Sequence, residues 1–276
     1  MRTITVPGPG PARERQAYLA GPVPTTALPG PWAGVVVIHE GLGPTDDLHE
    51  QCDWFAAAGY LALMPDLYHG RPMVRCVKGV VQQLFAQRGP VFEQLESARS
   101  YLASRDDCTG AVGVAGYCLG GGFALLLAGR GDYGAAAVNY GRLPENLDEV
   151  LAGSCPVVAS FGGRDRTLRG AAPKLTAALD RAGVPRDVQE YPPARHAFIS
   201  RNVVPSPLTT IGKVLGVGYH RESAADAKRR ILAFFDEHLR SPIDAAGRRP
   251  SSPGRRPIRA DQGGAEVGES GTPSAS

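Results

Sequence analysis

The sequence predicts an α/β fold: a doubly wound, mostly parallel sheet flanked by helices, forming one domain over residues 1–240. Three observations carry that expectation. Short apolar runs without a polar side, such as VVVI at 35–38, suit strands buried on both faces. Between them lie longer stretches with apolar residues at helical spacing. The two kinds alternate along the chain, as strand–helix–strand units require. A content of 43% hydrophobic and 21% charged residues supplies enough apolar surface for a core of that kind.

The elements follow in order. Residues 6–34 are broken by Pro7, Pro9, Pro11, Pro22, Pro24, Pro29 and Pro31, so only 13–20 can form a strand there, at a sheet edge. A buried strand at 35–38 leads to a helix over 45–58, with Thr45 or Asp46 as N-cap and Gly59 as its stop. The strand 60–64 ends at Pro65-Asp66. Helices over 74–87 and 91–103 are separated by Gly89-Pro90. A strand at 111–115 runs into a helix over 120–128, and strands follow at 135–139 and 157–161. A helix at 171–182, a strand at 187–191 and an amphipathic helix at 224–239 complete the domain. Residues 241–276 hold 6 Gly and 5 Pro and almost no large apolar side chain. That stretch cannot bury enough surface to offset its ordering entropy, and a disordered tail is expected.

Composition excludes several classes. The 35 Gly and 24 Pro make up about a fifth of the chain, above average usage but below the ~25–30% of low-complexity proteins. A net charge of +3 offers no concentrated basic face for nucleic acid. No run approaches the ~20 apolar residues needed to span a bilayer, and residues 1–10 lack the apolar core of a secretory leader. The five cysteines, Cys52, Cys76, Cys108, Cys118 and Cys155, are odd in number and contain no C-x-x-C pair. Neither a disulfide framework nor a zinc site is expected, and a reducing cytoplasmic compartment is.

The sharpest local signal is VGVAGYCLGGGF at 112–123, a G-x-C-x-G at a strand-to-helix junction. It has the form of the G-x-S-x-G nucleophile elbow with Cys118 in place of serine, and the helix dipole favours a thiolate there. An isolated cysteine is more often a small core residue. A phosphate cradle is the other bland reading, but G-x-G-x-x-G and a Walker lysine are absent. An elbow predicts an acid and then a histidine later in the chain. Asp165 follows the strand at 157–161, and His196 lies in the loop after the strand at 187–191. His39 and His69 precede the elbow, and His238 is expected to face solvent in the last helix. The oxyanion donors should be the N–H of Leu119 and one from HEGLG at 39–43, namely Gly41 or Leu42. Glu40 beside them could take the thiol proton or hold the thiol back. Tyr140, at a strand end, is a candidate pocket wall; Trp32 and Phe198 read as packing residues.

Together VVVIHEGLG (35–43), YLALMPDLY (60–68), VGVAGYCLGGGFALLLA (112–128), FGGRDRTL (161–168) and ARHAF (194–198) resemble the dienelactone hydrolase family. The resemblance implies an α/β-hydrolase fold and a Cys118–His196–Asp165 triad, with Glu40 coupled to the resting thiol and released when substrate binds. It implies hydrolysis of a small-molecule lactone or carboxylic ester through a thioester, without metal or organic cofactor. The family holds a substrate carboxylate with arginines, one of them four residues after the histidine. Ser200 stands at that place and Arg201 follows it; Arg71 is a candidate after Asp66-Leu67-Tyr68. Two other readings remain open: a general carboxylesterase or thioesterase on the same residues, and a non-catalytic fold that binds a small ligand or partner. The oligomeric state is left open.

Overall fold

Eight strands form one sheet in the order β1-β2-β4-β3-β5-β6-β7-β8. They are β1 (Arg2–Pro7), β2 (Glu14–Ala20), β3 (Trp32–Ile38), β4 (Leu61–Pro65), β5 (Cys108–Tyr117), β6 (Ala136–Asn139), β7 (Val157–Gly162) and β8 (Arg186–Tyr191). The computed structural model describes residues 2–8, 14–26, 28–201 and 217–240. β1 pairs antiparallel with β2, and β2 antiparallel with β4; the six strands from β4 to β8 run parallel. The helices are α1 (Asp46–Ala57), α2 (Met73–Ala86), α3 (Pro90–Ala103), α4 (Leu119–Ala128), α5 (Leu147–Leu151), α6 (Ala171–Ala182) and α7 (Arg221–Leu239). This is the α/β-hydrolase fold, with helices on both faces of a mostly parallel sheet. The domain expected over 1–240 falls within a compact unit, Met1–Ser241. A second unit, Pro242–Ser276, holds the expected tail, which lies outside the described residues.

Every residue of β3 is buried, which explains its unbroken apolar run. Its side chains alternate between two cores. Val36 and Ile38 pack with Phe92 and Leu95 of α3 and Phe123 of α4. Val35 and Val37 pack with Leu48 and Phe55 of α1 and with Ile231 and Phe235 of α7. The chain leaves β3 toward α1 on one face and leaves β5 toward α4 on the other. β3 and β5 are neighbours, so their carboxyl ends diverge at a switch in strand order, where open α/β sheets leave a crevice. The loop 39–43 and the elbow at Cys118 both sit there.

Three expectations need correction, and a fourth, Thr45 as the N-cap of α1, holds in position alone. β1 was not anticipated, and it covers β2, so the strand expected at the edge is second in the sheet. Proline density hid the alternation of RTITVP, in which Val6 points to the core and Thr5 to solvent. The short helix α5 was likewise not anticipated; only its Leu147 and Leu151 are buried. Thr45 does precede α1, but its hydroxyl makes no capping bond. His238 is not simply solvent-facing: it packs edge-on against Phe234, with centroids 4.3 Å apart.

Candidate active site

Cys118 occupies the turn between β5 and α4 with φ 52° and ψ −113°, a conformation that costs a side-chain-bearing residue on the order of 1–3 kcal/mol. Its N–H donates to the Asn139 carbonyl at 3.0 Å, and the Asn139 side-chain amide donates to the Gly116 carbonyl at 3.2 Å, tying the elbow to β6. Two glycines make the turn possible by close approach. A Cβ on Gly116 would lie 2.0 Å from the Gly120 carbonyl oxygen, and one on Gly120 would lie 2.2 Å from that of Ile38. The sequence spacing of small residues around the cysteine is therefore a steric requirement of packing β5, α4 and β3 together. All five cysteines are free thiols. Cys52 and Cys155 are buried, and burial pushes Cys155 up to about 12.

A continuous set of hydrogen bonds starts at this thiol. Cys118 Sγ lies 3.1 Å from His196 Nε2, and His196 Nδ1 lies 2.5 Å from Asp165 Oδ2. The other oxygen of Asp165 accepts from the N–H and the hydroxyl of Thr167, at 2.9 and 2.6 Å. Asp165 is buried; burial alone would raise its pKa, but the bonds from His196 and Thr167 outweigh it and hold the carboxyl low. The carboxylate accepts the Nδ1 hydrogen, which turns Nε2 toward sulfur. Burial pulls the His196 pKa down, yet its bonds to Asp165 and Cys118 prevail and raise it to about 10. At neutral pH the imidazole is thus a cation beside the sulfur, able to stabilise a thiolate.

Glu40 is 2% exposed on the loop leaving β3, and its Oε1 has no hydrogen-bond partner among the described residues. Burial, with the Asp47 charge nearby, pushes this carboxyl up to about 7, while the His196 charge opposes the shift. Tyr140, expected as a pocket wall, is buried behind the histidine instead. Its ring lies 5.3 Å from that of His196, and its hydroxyl is 3.2 Å from Ser200 Oγ. Phe198 completes this support at 5.7 Å from Tyr140 and, like Trp32, is a packing residue.

Arg71 is exposed on the turn before α2, and Arg201 is exposed with its guanidinium 5.6 Å from the Tyr219 ring. Neither forms an ion pair among the described residues. A cleft of about 380 Å³ brings a different arginine forward. It runs between Leu84 and Phe85 of α2, Gly122 of α4 and the loop at Arg142, whose guanidinium lies 4.9 Å from the Phe85 ring. Gly122 is one helical turn from Cys118. None of Cys118, His196, Asp165 or Glu40 lines this cleft. No group of three or more His, Cys, Asp or Glu among the described residues is arranged to hold a metal ion.

The model of the Dienelactone hydrolase family matches residues 16–239, from β2 through α7. This chain belongs to the dienelactone hydrolase family. A Yersinia pestis protein named "Putative carboxymethylenebutenolidase" is 28% identical over 250 residues, covering 85% of this chain and 87% of its own. An Azospirillum brasilense protein of the same name is 26% identical and covered in full, against 87% of this chain. Among solved structures, a "Putative Dienelactone Hydrolase" from Klebsiella pneumoniae superposes with TM-score 0.70 at 25% identity, covering 86% of this chain and 98% of that one. An α/β hydrolase from a Medee basin deep-sea metagenome library, at 15% identity and TM-score 0.60 over 87% of this chain and 99% of that one, shares the fold. The chain is thus a dienelactone hydrolase-like hydrolase. No helix among the described residues is long and apolar enough to cross a membrane.

Proposed function

We propose that this dienelactone hydrolase family member cleaves a small lactone or carboxylic ester through a thioester on Cys118. The observation that carries the reading is the Cys118–His196–Asp165 hydrogen-bonded series at the elbow. The thiolate attacks the carbonyl carbon, and the carbonyl electrons move to oxygen, facing the N–H groups of Leu119 and Gly41. Collapse of this intermediate expels the alkoxide or enolate, which takes the Nε2 proton of His196 as it leaves. Neutral His196 then removes a proton from water. The resulting hydroxide adds to the thioester, and its collapse releases the carboxylic acid and restores the thiolate. Asp165 keeps the imidazole in the required tautomer throughout.

A serine at the family's arginine position favours a broader substrate range over strict selection for a carboxylated lactone. Ser200, where the family has an arginine, is buried and bonded to Tyr140. A hydrolysis panel of lactones, nitrophenyl esters and acyl-thioesters tests this, with intact-mass analysis for an acyl group on Cys118. Turnover without any adduct on Cys118 would overturn the thioester route.

Asp165→Asn is expected to lower kcat with little change in KM, because an amide can present its NH2 group and let the ring turn. In a serine triad the equivalent change costs about 10⁴; a thiol is a more acidic nucleophile than a hydroxyl and needs less help from the base, so a smaller loss of about 10²–10³ is expected here. An unchanged kcat would show that Asp165 plays no part in orienting the ring.

Glu40 makes the pH dependence specific. Its carboxyl is neutral below about 7 and ionised above it; with the ionised form taking up the thiol proton, kcat/KM should rise through pH 7 and fall toward 10 as His196 loses its proton. Glu40→Gln should abolish the inflection near 7. The sign for stability runs the other way. A folded-state pKa above the unfolded one gives a contribution present below about 4.5 and lost as pH rises through 7. At pH 8 Glu40→Gln should therefore stabilise the fold, by about 3 kcal/mol at most. An inflection persisting at pH 7 in the variant would assign it to another group.

A further inference from the structure

A second buried histidine stands beside Glu40, and no step above uses it. His39 is fully buried on the loop leaving β3, with both ring nitrogens engaged. Nδ1 lies 2.8 Å from the Glu40 carbonyl oxygen, and the Leu67 N–H points at Nε2 from 3.1 Å. A carbonyl can only accept and an amide N–H can only donate, so Nδ1 carries the hydrogen and Nε2 does not. Burial lowers the pKa of this ring, which keeps it in that one neutral tautomer. The Glu40 carbonyl receives a second bond from the Gly43 N–H at 3.0 Å.

Those two bonds act on the next atom along the chain. The Glu40 C=O and the Gly41 N–H belong to one planar peptide unit, and the cis bond recorded among the described residues is Gly30–Pro31. In a trans unit the two groups point in opposite directions, so pinning the carbonyl aims the N–H. The following carbonyl, that of Gly41, is taken by the Tyr68 hydroxyl at 2.6 Å, which steadies the same loop. The loop lies directly against the elbow, since a Cβ on Gly120 would come within 2.8 Å of the His39 carbonyl oxygen. Among the described residues neither the Gly41 nor the Leu119 N–H has a protein acceptor.

We propose that His39 is a positioning residue for the oxyanion site: its Nδ1–H bond to the Glu40 carbonyl orients the Gly41 N–H toward the tetrahedral oxygen formed on Cys118. The inference rests on the thioester reading and adds the residue that sets one of its two donors. His39 itself touches no reacting atom.

Two amide side chains separate the functions of the ring. The amide nitrogen of asparagine falls near the place of Nδ1, whereas that of glutamine falls near Nε2. His39→Asn therefore keeps a donor for the Glu40 carbonyl, and His39→Gln leaves that carbonyl to Gly43 alone. In the full-length protein, single-turnover acylation by p-nitrophenyl acetate is measured beside alkylation of Cys118 by iodoacetamide, a displacement that builds no oxyanion. His39→Gln is expected to slow acylation about 10²-fold and His39→Asn less than about 10-fold, with alkylation within about two-fold of wild type in both. His39→Ala, which also leaves the carbonyl to Gly43, serves if the glutamine variant does not fold. Equal acylation in the variants, or alkylation falling in parallel with acylation, would overturn the positioning role. A wild-type protein that forms no acyl adduct on Cys118 would instead overturn the thioester reading.

Discussion

Cys118→Ala is expected to abolish ester hydrolysis, with a fall in kcat on the order of 10⁶ by analogy with nucleophile removal in other triads. The size of the effect follows from the sulfur's place in the chain of bonds. His196 Nε2 is directed at it by Asp165, and among the described residues no other thiol or hydroxyl makes that contact. Without sulfur, His196 can act only on water, and the two-step route through a thioester is closed. The fold should survive the change. Cys118 already carries φ 52° and ψ −113°, so alanine adds no strain that cysteine lacked. Cys118→Gly should go further and exceed the alanine variant in stability by about 1–3 kcal/mol, since glycine accepts that backbone freely. Hydrolysis rates, adduct mass and thermal melts of the two variants check these outcomes together. Residual turnover close to wild type in Cys118→Ala would remove the cysteine from the mechanism.

Gly116→Ala should damage the site by a different route, with a smaller loss of rate and a loss of stability besides. The added methyl would sit 2.0 Å from the Gly120 carbonyl oxygen, 2.3 Å from its carbon and 2.7 Å from the Gly121 nitrogen. All three are backbone atoms in the first turn of α4, so no side chain can rotate away. The helix must retreat by roughly an ångström, carrying Cys118 and the Leu119 N–H with it, and a misplacement of that size costs about 10² in rate. The overpacking itself should cost about 1–3 kcal/mol or more. Gly41→Ala provides the contrast. A Cβ there meets nothing within 4 Å and the N–H is retained, so activity and melting temperature should stay close to wild type. A Gly116→Ala protein with native kcat and stability would contradict the steric account of the elbow.

The candidate site was largely legible because its chemistry is written in contiguous residues. Cys118 and its glycines occupy a single turn, Asp165 follows a strand whose apolar run is plain in the sequence, and His196 lies in the Pro-rich loop that closes the last strand. Legibility failed where a residue's role depends on a partner distant in the chain. Tyr140 was read as facing a ligand, but the Ser200 hydroxyl and the His196 ring, more than fifty residues later, hold it behind the site. His39 was set aside because it precedes the elbow, and its partners are main-chain groups, which leave no mark in a sequence.

By itself the sequence determined the alternation of strand and helix, the buried parallel run of β3, the strained turn at Cys118 and the chemical identity of the acid and the histidine. These follow from local physics: apolar periodicity, steric room at glycine and the intrinsic reactivity of a few side chains. Only the tertiary structure decided that β1 covers β2, that Glu40 is buried without a partner for one oxygen, and that the loops after β3 and β5 meet where strand order reverses. Those outcomes depend on which surfaces exclude water from one another. Burial raises the Glu40 carboxyl to about 7, and bonds from residues after two different strands, Cys118 after β5 and Asp165 after β7, raise His196 to about 10. Desolvation and long-range hydrogen bonding are properties of the assembled fold, and they convert a recognisable set of residues into an arrangement suited to ester hydrolysis.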